Sequence, residues 1–356
     1  MSCSFGEKFR LTVFGQSHSK AIGAVIDGIP AGVRLNEEKI KALLARRAPG
    51  KNAYSTKRRE ADEYEILSGV VDGITCGAPL CAVIYNTDAH SEDYEKLKSL
   101  PRPSHSDYAA YMKHHGFNDV RGGGNFSGRM TAPLCFAGAV AMQMLESSGI
   151  SFGAHIKSIA GIEDKSFSPV DVSAAELEDV KKKDFPVLDD EAGERMKAEI
   201  EKARSELDSV GGVIECAVAG LPAGIGEPMF DGIENVISRA VFAVPAVKGI
   251  EFGLGFASSE LRGSENNDPF TVSDGRVLTE TNNSGGILGG ITSGMPVIFR
   301  AAVKPTPSVG VEQSTVDLAT GSPARLVTGG RHDPCIVHRA VPCIEAAAAL
   351  AIINIL

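Results

Sequence analysis

The sequence predicts an α+β fold made of two similar halves, and three repeated features predict it. Gly28-Ile29-Pro30-Ala31-Gly32 returns as Gly220-Leu221-Pro222-Ala223-Gly224, each after an apolar run of strand character and before a helical pattern. Gly69–Pro79 (GVVDGITCGAP) returns, in the same order, as Gly286–Pro296 (GILGGITSGMP). Each half, about 9–150 and about 211–356, closes with an apolar helix after an Arg/His-rich loop. Such halves pack about a pseudo-two-fold, and polar loops from both can meet at the junction.

The elements follow from local chemistry. Residues 9–34 read as two strands around the polar loop Gly15-Gln16-Ser17-His18-Ser19, because short apolar runs are punctuated there by Gly and Pro. Asn36 is an expected N-cap, with Glu37 and Glu38 in the first turn, Ile40, Leu43 and Leu44 on one face, and Arg46-Arg47 at the end. Residues 66–85 read as strand, turn, strand. Pro133–Leu145 is a small-residue helix with few polar positions, expected to be buried between layers, and Pro342–Leu356 is its counterpart. The segment from about 163 to 208 is charged, with a helical pattern over Glu191–Leu207 that puts Met196, Ile200 and Leu207 on one face. It reads as a peripheral excursion from one domain spanning 1–356.

Composition narrows the function classes. The chain is 43% hydrophobic and 23% charged with a net charge of −9, so nothing draws it globally to nucleic acid or anionic lipid. No leader-like N-terminus and no apolar run of about 18 residues is evident, which predicts a cytoplasmic protein outside the membrane. Seven scattered cysteines without a C-x-x-C pair read as reduced thiols, with no metal site.

An acidic protein that binds an anion needs a local cationic pocket, and Arg102–Thr131 supplies one. It gathers Arg102, Arg121, Arg129, His105, His114, His115, the run Gly122-Gly123-Gly124, and Ser127 ahead of an apolar helix. Arginine presents a planar fork of donors to phosphate or carboxylate. Consecutive glycines let backbone N–H groups approach an anion, and histidine moves protons near neutral pH. Arg46–Arg59 holds six basic residues and no acidic one, which fits either a solvated charge run or a loop feeding cations to a polyanion. Gly330-Arg331-His332-Asp333 sets cation, imidazole and carboxylate side by side, where Asp333 would otherwise serve as a helix cap.

In order along the chain, FGQSH (14–18), RRAPG (46–50), RPSHSD (102–107), RGGGNFSGR (121–129), PAGIGEP (222–228), PAVKGIEFG (245–253), NNSGGILGG (282–290), KPTPS (304–308) and GGRHDPC (329–335) together resemble the chorismate synthases over nearly the whole chain. The resemblance implies a sandwich with helices between two antiparallel sheets, assembled as a homotetramer. It implies a lyase that converts 5-enolpyruvylshikimate 3-phosphate to chorismate and phosphate by anti-1,4-elimination, in the shikimate route to aromatic amino acids. Reduced FMN is the implied cofactor, with NAD(P)H or a separate flavin reductase as the source of its electrons. By the same resemblance His18 matches the histidine that protonates the flavin, and His105 the one facing the leaving phosphate. Asp333 matches the carboxylate that assists proton removal, with Ser17 and Ser127 as its partners. Arg46, Arg47, Arg102, Arg129 and Arg331 are the implied substrate clamp. Ser127, Ala246, Gly289, Lys304, Pro305, Thr306, Pro307, Ser308 and Arg331 are the implied flavin contacts.

Gln16, Ser19, Ala53, Asn125, Phe126 and Met130 depart from the commonest pattern of that family, and the changes at 53 and 125 remove cations. Two other readings stand beside the lyase. One is an NAD(P)H-dependent flavin reductase, mildly disfavoured because no Rossmann-type glycine fingerprint follows a strand. The other is a flavin- or anion-binding scaffold without chemistry, which has no need of His18, His105 and Asp333 together.

Overall fold

A computed structural model of the chain describes residues 3–50, 61–87, 97–328 and 333–356. The first half runs β1 (Ser4–Phe5), β2 (Arg10–Gly15), β3 (Ala21–Asp27), α1 (Glu37–Arg47), β4 (Tyr64–Ser68), β5 (Val70–Val71), β6 (Ile74–Thr75), β7 (Leu80–Tyr85), α2 (Asp107–Lys113) and α3 (Thr131–Glu146). After it come β8 (Ser151–Ile159), β9 (Ile162–Glu163), α4 (Ala174–Lys181) and α5 (Asp190–Ser205). The second half continues with β10 (Gly212–Ala219), α6 (Ile233–Val241), β11 (Val247–Phe252), α7 (Gly263–Asn266), β12 (Phe270–Ser273) and β13 (Arg276–Thr279). It ends with β14 (Ile287–Leu288), β15 (Ile291–Thr292), β16 (Val297–Val303), β17 (Gln313–Asp317), β18 (Ser322–Leu326) and α8 (Val337–Ile355).

Two five-stranded antiparallel sheets, β1-β2-β3-β7-β4 and β11-β16-β10-β8-β9, enclose α1, α3, α6 and α8. Without the edge strands β1 and β9, the order β2-β3-β7-β4 matches β8-β10-β16-β11 strand for strand. Helix α1 then stands where α6 does, and α3 where α8 does. The duplication extends to single atoms. Thr75 Oγ1 donates to Pro30 O (2.6 Å) and accepts from Val33 N (2.9 Å); Thr292 Oγ1 donates to Pro222 O (2.6 Å) and accepts from Ile225 N (2.9 Å). Each threonine thereby pins a Pro-Ala-Gly turn onto a two-residue hairpin, β5–β6 or β14–β15.

Between the sheets, α3 packs on α8. Their backbones approach so closely at Gly138 that a Cβ there would stand 2.3 Å from Cβ of Ala346. The small-residue composition of both helices is what allows this, and the core continues from them to Leu11, Ala24 and Ile26 of one sheet and Phe152 and Ile214 of the other. Helix α1 is capped as its sequence demands: Asn36 Oδ1 accepts from Glu38 N and Lys39 N, while Ile40, Leu43 and Leu44 are buried.

Three expectations change. The excursion is not peripheral, because Phe185, Val187, Ala192, Met196 and Ile200 join the main core, and Leu177 and Val180 of α4 cover Ala217, Ala219 and Ile298 on the second sheet. Leu207 does not share the buried face: it follows the end of α5 with φ +59° and is 63% exposed. Helix α8 starts at Val337, with Pro342 inside it rather than opening it, and at 19 residues it is long and apolar enough to cross a membrane. Here 78% of its apolar window is buried within the protein, which marks it as a core helix.

Candidate active site

The glycine run is the seat of the site. Gly122, Gly123 and Gly124 have φ of +59°, +81° and +56°, a backbone path that only glycine follows without strain. Gly124 O accepts from Ser17 N at 3.0 Å, tying this loop to the one after β2. A Cβ on Gly122 would stand 2.4 Å from Nδ1 of His18 and 2.5 Å from Oγ of Ser17. One on Gly123 would stand 3.3 Å from Nε2 of His105 and 3.8 Å from Cβ of Ser127. His18, Ser17, His105 and Ser127, which lie up to 110 residues apart, are thus gathered on one glycine surface. Ser127 also caps the turn leading into α3, its Oγ accepting from Arg129 N at 3.3 Å.

His105 is held from behind. Its Nδ1 lies 2.6 Å from Asp107 Oδ1, and Arg102 grips the same carboxylate with Nε to Oδ2 (2.8 Å) and Nη2 to Oδ1 (2.9 Å). Burial raises and the Arg102 and His105 contacts lower the Asp107 carboxyl, and the contacts win, holding it far below the usual range. His105 itself is lowered, chiefly by burial and also by Arg102. Arg102 Nη1 continues to Ser308 Oγ (3.1 Å), which brings the KPTPS loop of the second half against the first. In that loop Lys304 Nζ donates to Ser104 O and its backbone N to Ala246 O, whose residue has φ +74°. Burial, then Lys248, lowers the Lys304 ammonium. Thr306 Oγ1 donates to Asp333 O at 3.0 Å.

The ring of contacts then closes on its other side. Asp333 Oδ2 accepts from Arg339 Nη1 (2.6 Å), and Arg339 Nε donates to Arg47 O (3.1 Å). Arg47 and Arg129 each bond one oxygen of Asp62, a residue with no exposed side-chain surface and φ +53°. Arg129 Nε donates to Asn86 Oδ1 (3.0 Å), and Asn86 Nδ2 donates to Gln16 O (3.0 Å) and Ser19 O (2.8 Å), returning to the His18 loop. Ser19 closes that loop, its hydroxyl donating to Gln16 O and accepting from Gln16 N. Among the described residues, five cations (Arg47, Arg102, Arg129, Lys304, Arg339) and three carboxylates (Asp62, Asp107, Asp333) stand on this circuit, an excess of positive charge.

Some expected residues stand elsewhere. Arg46 bonds Glu345 of α8 through both Nη atoms, and Glu345 also accepts from Ala154 N, so Arg46 joins α1, α8 and β8 away from the ring. Arg47 stands on the ring but is buried, its Nε and Nη2 donating to Thr131 Oγ1 and Gly128 O. Arg121 pairs with Asp119 at the surface. Gly289 sits between β14 and β15, in a hairpin joined to Ile233 through Gly290 O. Pro305 is exposed beside Gly211, and Pro307 is half-buried. Arg331 and Ala53 lie outside the described residues. Asp62, Asn86, Asp107 and Arg339 escaped the sequence reading. Only Asp107 carried a signal, its place in RPSHSD.

A chorismate synthase family model matches residues 9–356. Similar curated relatives are the chorismate synthases of Dehalococcoides mccartyi (46% identical over 346 residues, 97% of this chain and 94% of the relative) and Thermococcus gammatolerans (48% over 342 residues, 96% and 94%). A solved structure described as chorismate synthase superposes with a TM-score of 0.76 at 28% identity, covering 99% of this chain and 92% of its own.

Proposed function

We infer, from the fact that this chain belongs to the chorismate synthase family, the substrate, cofactor and roles of its chorismate-forming lyase reaction. The substrate is 5-enolpyruvylshikimate 3-phosphate, which loses phosphate by anti-1,4-elimination. The observation that carries this reading is the glycine loop, which sets His18 and His105 on one surface within a ring of excess positive charge. A phosphate and two carboxylates require such charge in a protein of net charge −9.

His105 and Arg102 meet the phosphate, with Lys304 beside them. Fixed cations stabilise the departing charge without reorganising, and a proton at His105 Nε2 passes to the leaving oxygen. Arg47 and Arg129 act through Asp62 to fix the loops, and Arg331, adjacent in sequence to His332 and Asp333, completes the clamp. Reduced FMN fits the residues present: Ser17 Oγ is buried with no partner among the described residues, beside a glycine run that carries no side chain of its own. Ser17, Ser127, Ala246, Gly289, the Lys304–Ser308 loop and Arg331 would hold it, with NAD(P)H or a separate reductase supplying its electrons. When bound, it supplies electron density to the breaking carbon–oxygen bond. His18 holds a proton at the flavin, and Asp333, fixed by Arg339, assists removal of the carbon-bound proton that the elimination releases.

Four copies assemble, burying the apolar side chains that β12–β13 exposes at Phe270, Val272 and Val277. Light scattering at four times 37.4 kDa tests this. The activity is tested anaerobically, with dithionite-reduced FMN and enolpyruvylshikimate phosphate: chorismate and phosphate are expected in equal amounts. FMN binding without either product would sink the lyase reading, and NADPH oxidation by added FMN in its place would favour a reductase.

A further inference from the structure

We propose that Asn86 is the positioning residue of His18: its single amide holds the two carbonyls that bracket Ser17-His18 and ties them to the buried Arg129. The proposal rests on the reading of His18 as the group that holds a proton at the flavin.

The sheet delivers Asn86 to this place. Strand β2 ends at Gly15 and β3 begins at Ala21, so residues 16–20 are the whole connection between them. Strand β7 pairs with β3, Tyr85 standing opposite Ala21, and the ladder runs one step further as Asn86 N donates to Lys20 O at 3.2 Å. Register alone therefore puts the residue after β7 beside the His18 loop.

The side chain has one arrangement there. Nδ2 donates to Gln16 O (3.0 Å) and Ser19 O (2.8 Å), while Oδ1 accepts from Arg129 Nε (3.0 Å). A guanidinium offers only donors and a backbone carbonyl only acceptors, so turning the amide over would set donor against donor at Arg129 and acceptor against acceptor at both carbonyls. Between those carbonyls lie Ser17 and His18, 1% and 9% exposed, with Gly122 against the imidazole. The loop is thus pinned from two directions, by Asn86 at its ends and by Gly124 O at Ser17 N. Arg129 is held in turn by Asp62, which also bonds Arg47. An aspartate at 86 would have the same shape and keep the acceptor for Arg129, yet it would turn lone pairs toward two carbonyls. That substitution separates the loop side of the contact from the arginine side.

The test uses the full chain labelled with ¹⁵N-histidine, its ring signals assigned with His18→Gln and His105→Gln. In Asn86→Asp the His18 signals should move and broaden while those of His105 stay. Turnover should fall on the order of 100-fold with KM little changed, because the loop is released and Arg129 keeps its acceptor. Asn86→Leu should lose turnover likewise and also raise KM, since Arg129 then loses that acceptor. Unmoved His18 signals in Asn86→Asp would overturn the proposal without any activity measurement. Equal movement of the His18 and His105 signals would overturn it too, by giving Asn86 a general structural role. Should neither variant fold, the wild type still decides: both Nδ2 protons of Asn86 are expected to exchange slowly with water, and a rapidly exchanging pair would sink the idea. If the wild type releases no chorismate, the function reading fails, while the ring signals judge the positioning by themselves.

Discussion

Gly122 lies against His18: a Cβ built on it would stand 2.3 Å from the imidazole Cε1. The position also has φ +59°, so alanine there strains the backbone by roughly 1–2 kcal/mol and must push the ring aside. A displacement of about 1 Å at a reacting group costs on the order of 100-fold in rate. Gly122→Ala is therefore expected to keep its circular dichroism and to lose at least that much turnover. A variant with wild-type kcat would mean that His18 is not held where it must act.

Asp62 divides its two oxygens between Arg47 and Arg129, and all three side chains are almost wholly buried. Removing the carboxylate strands two buried guanidinium groups, which costs about 3–5 kcal/mol. Asp62→Ala should lower the urea midpoint accordingly, and a change below about 1 kcal/mol would show that the pair contributes no more than a surface bridge.

The paired threonines offer a test of the duplication. Thr75→Val and Thr292→Val each leave one carbonyl and one amide without the hydroxyl that bridges them. Each should cost about 1–3 kcal/mol. Because the two sites share no partner, the double variant should equal the sum to within about 0.5 kcal/mol. Strong non-additivity in chemical unfolding would indicate that the two hairpins are coupled.

His338 is pushed down to about 4 by burial, against a smaller opposing pull from Asp333. The fold therefore favours the neutral ring. Its contribution is complete above the unfolded value of about 6.5 and is lost as pH falls towards 4, on the order of 3 kcal/mol in all. His105 has the same sign and His155, raised by Asp164 and Glu215 in spite of burial, the opposite one. Unfolding free energies of wild type and His338→Gln should converge between pH 7.5 and pH 4.5. Parallel curves would show that His338 takes up its proton in the folded state.

Where structure depends on neighbours in sequence, the chain was legible. Asn36 caps α1 because its side chain reaches amides two and three residues on, and the two Gly-x-Pro-Ala-Gly turns announce themselves by composition. The motif residues were legible as a set as well, since arginine, histidine and glycine carry their chemistry in their identity. Leu207 fits the helical period yet is exposed, because periodicity does not record where a helix stops, and the charged 163–208 segment reaches the core through a few apolar residues spread among many charges.

The sequence by itself determined the duplicated α+β plan, the cationic stretch and the candidates for proton transfer, because these are local patterns of spacing and residue type. Only the tertiary structure decided which acceptor each arginine meets. Arg46 meets Glu345 across 299 positions, Arg102 meets Ser308 across 206, and Arg47 meets Asp62 in the interior. A guanidinium has the same donors wherever it stands, and what separates one arginine from another is the acceptor that folding brings to it.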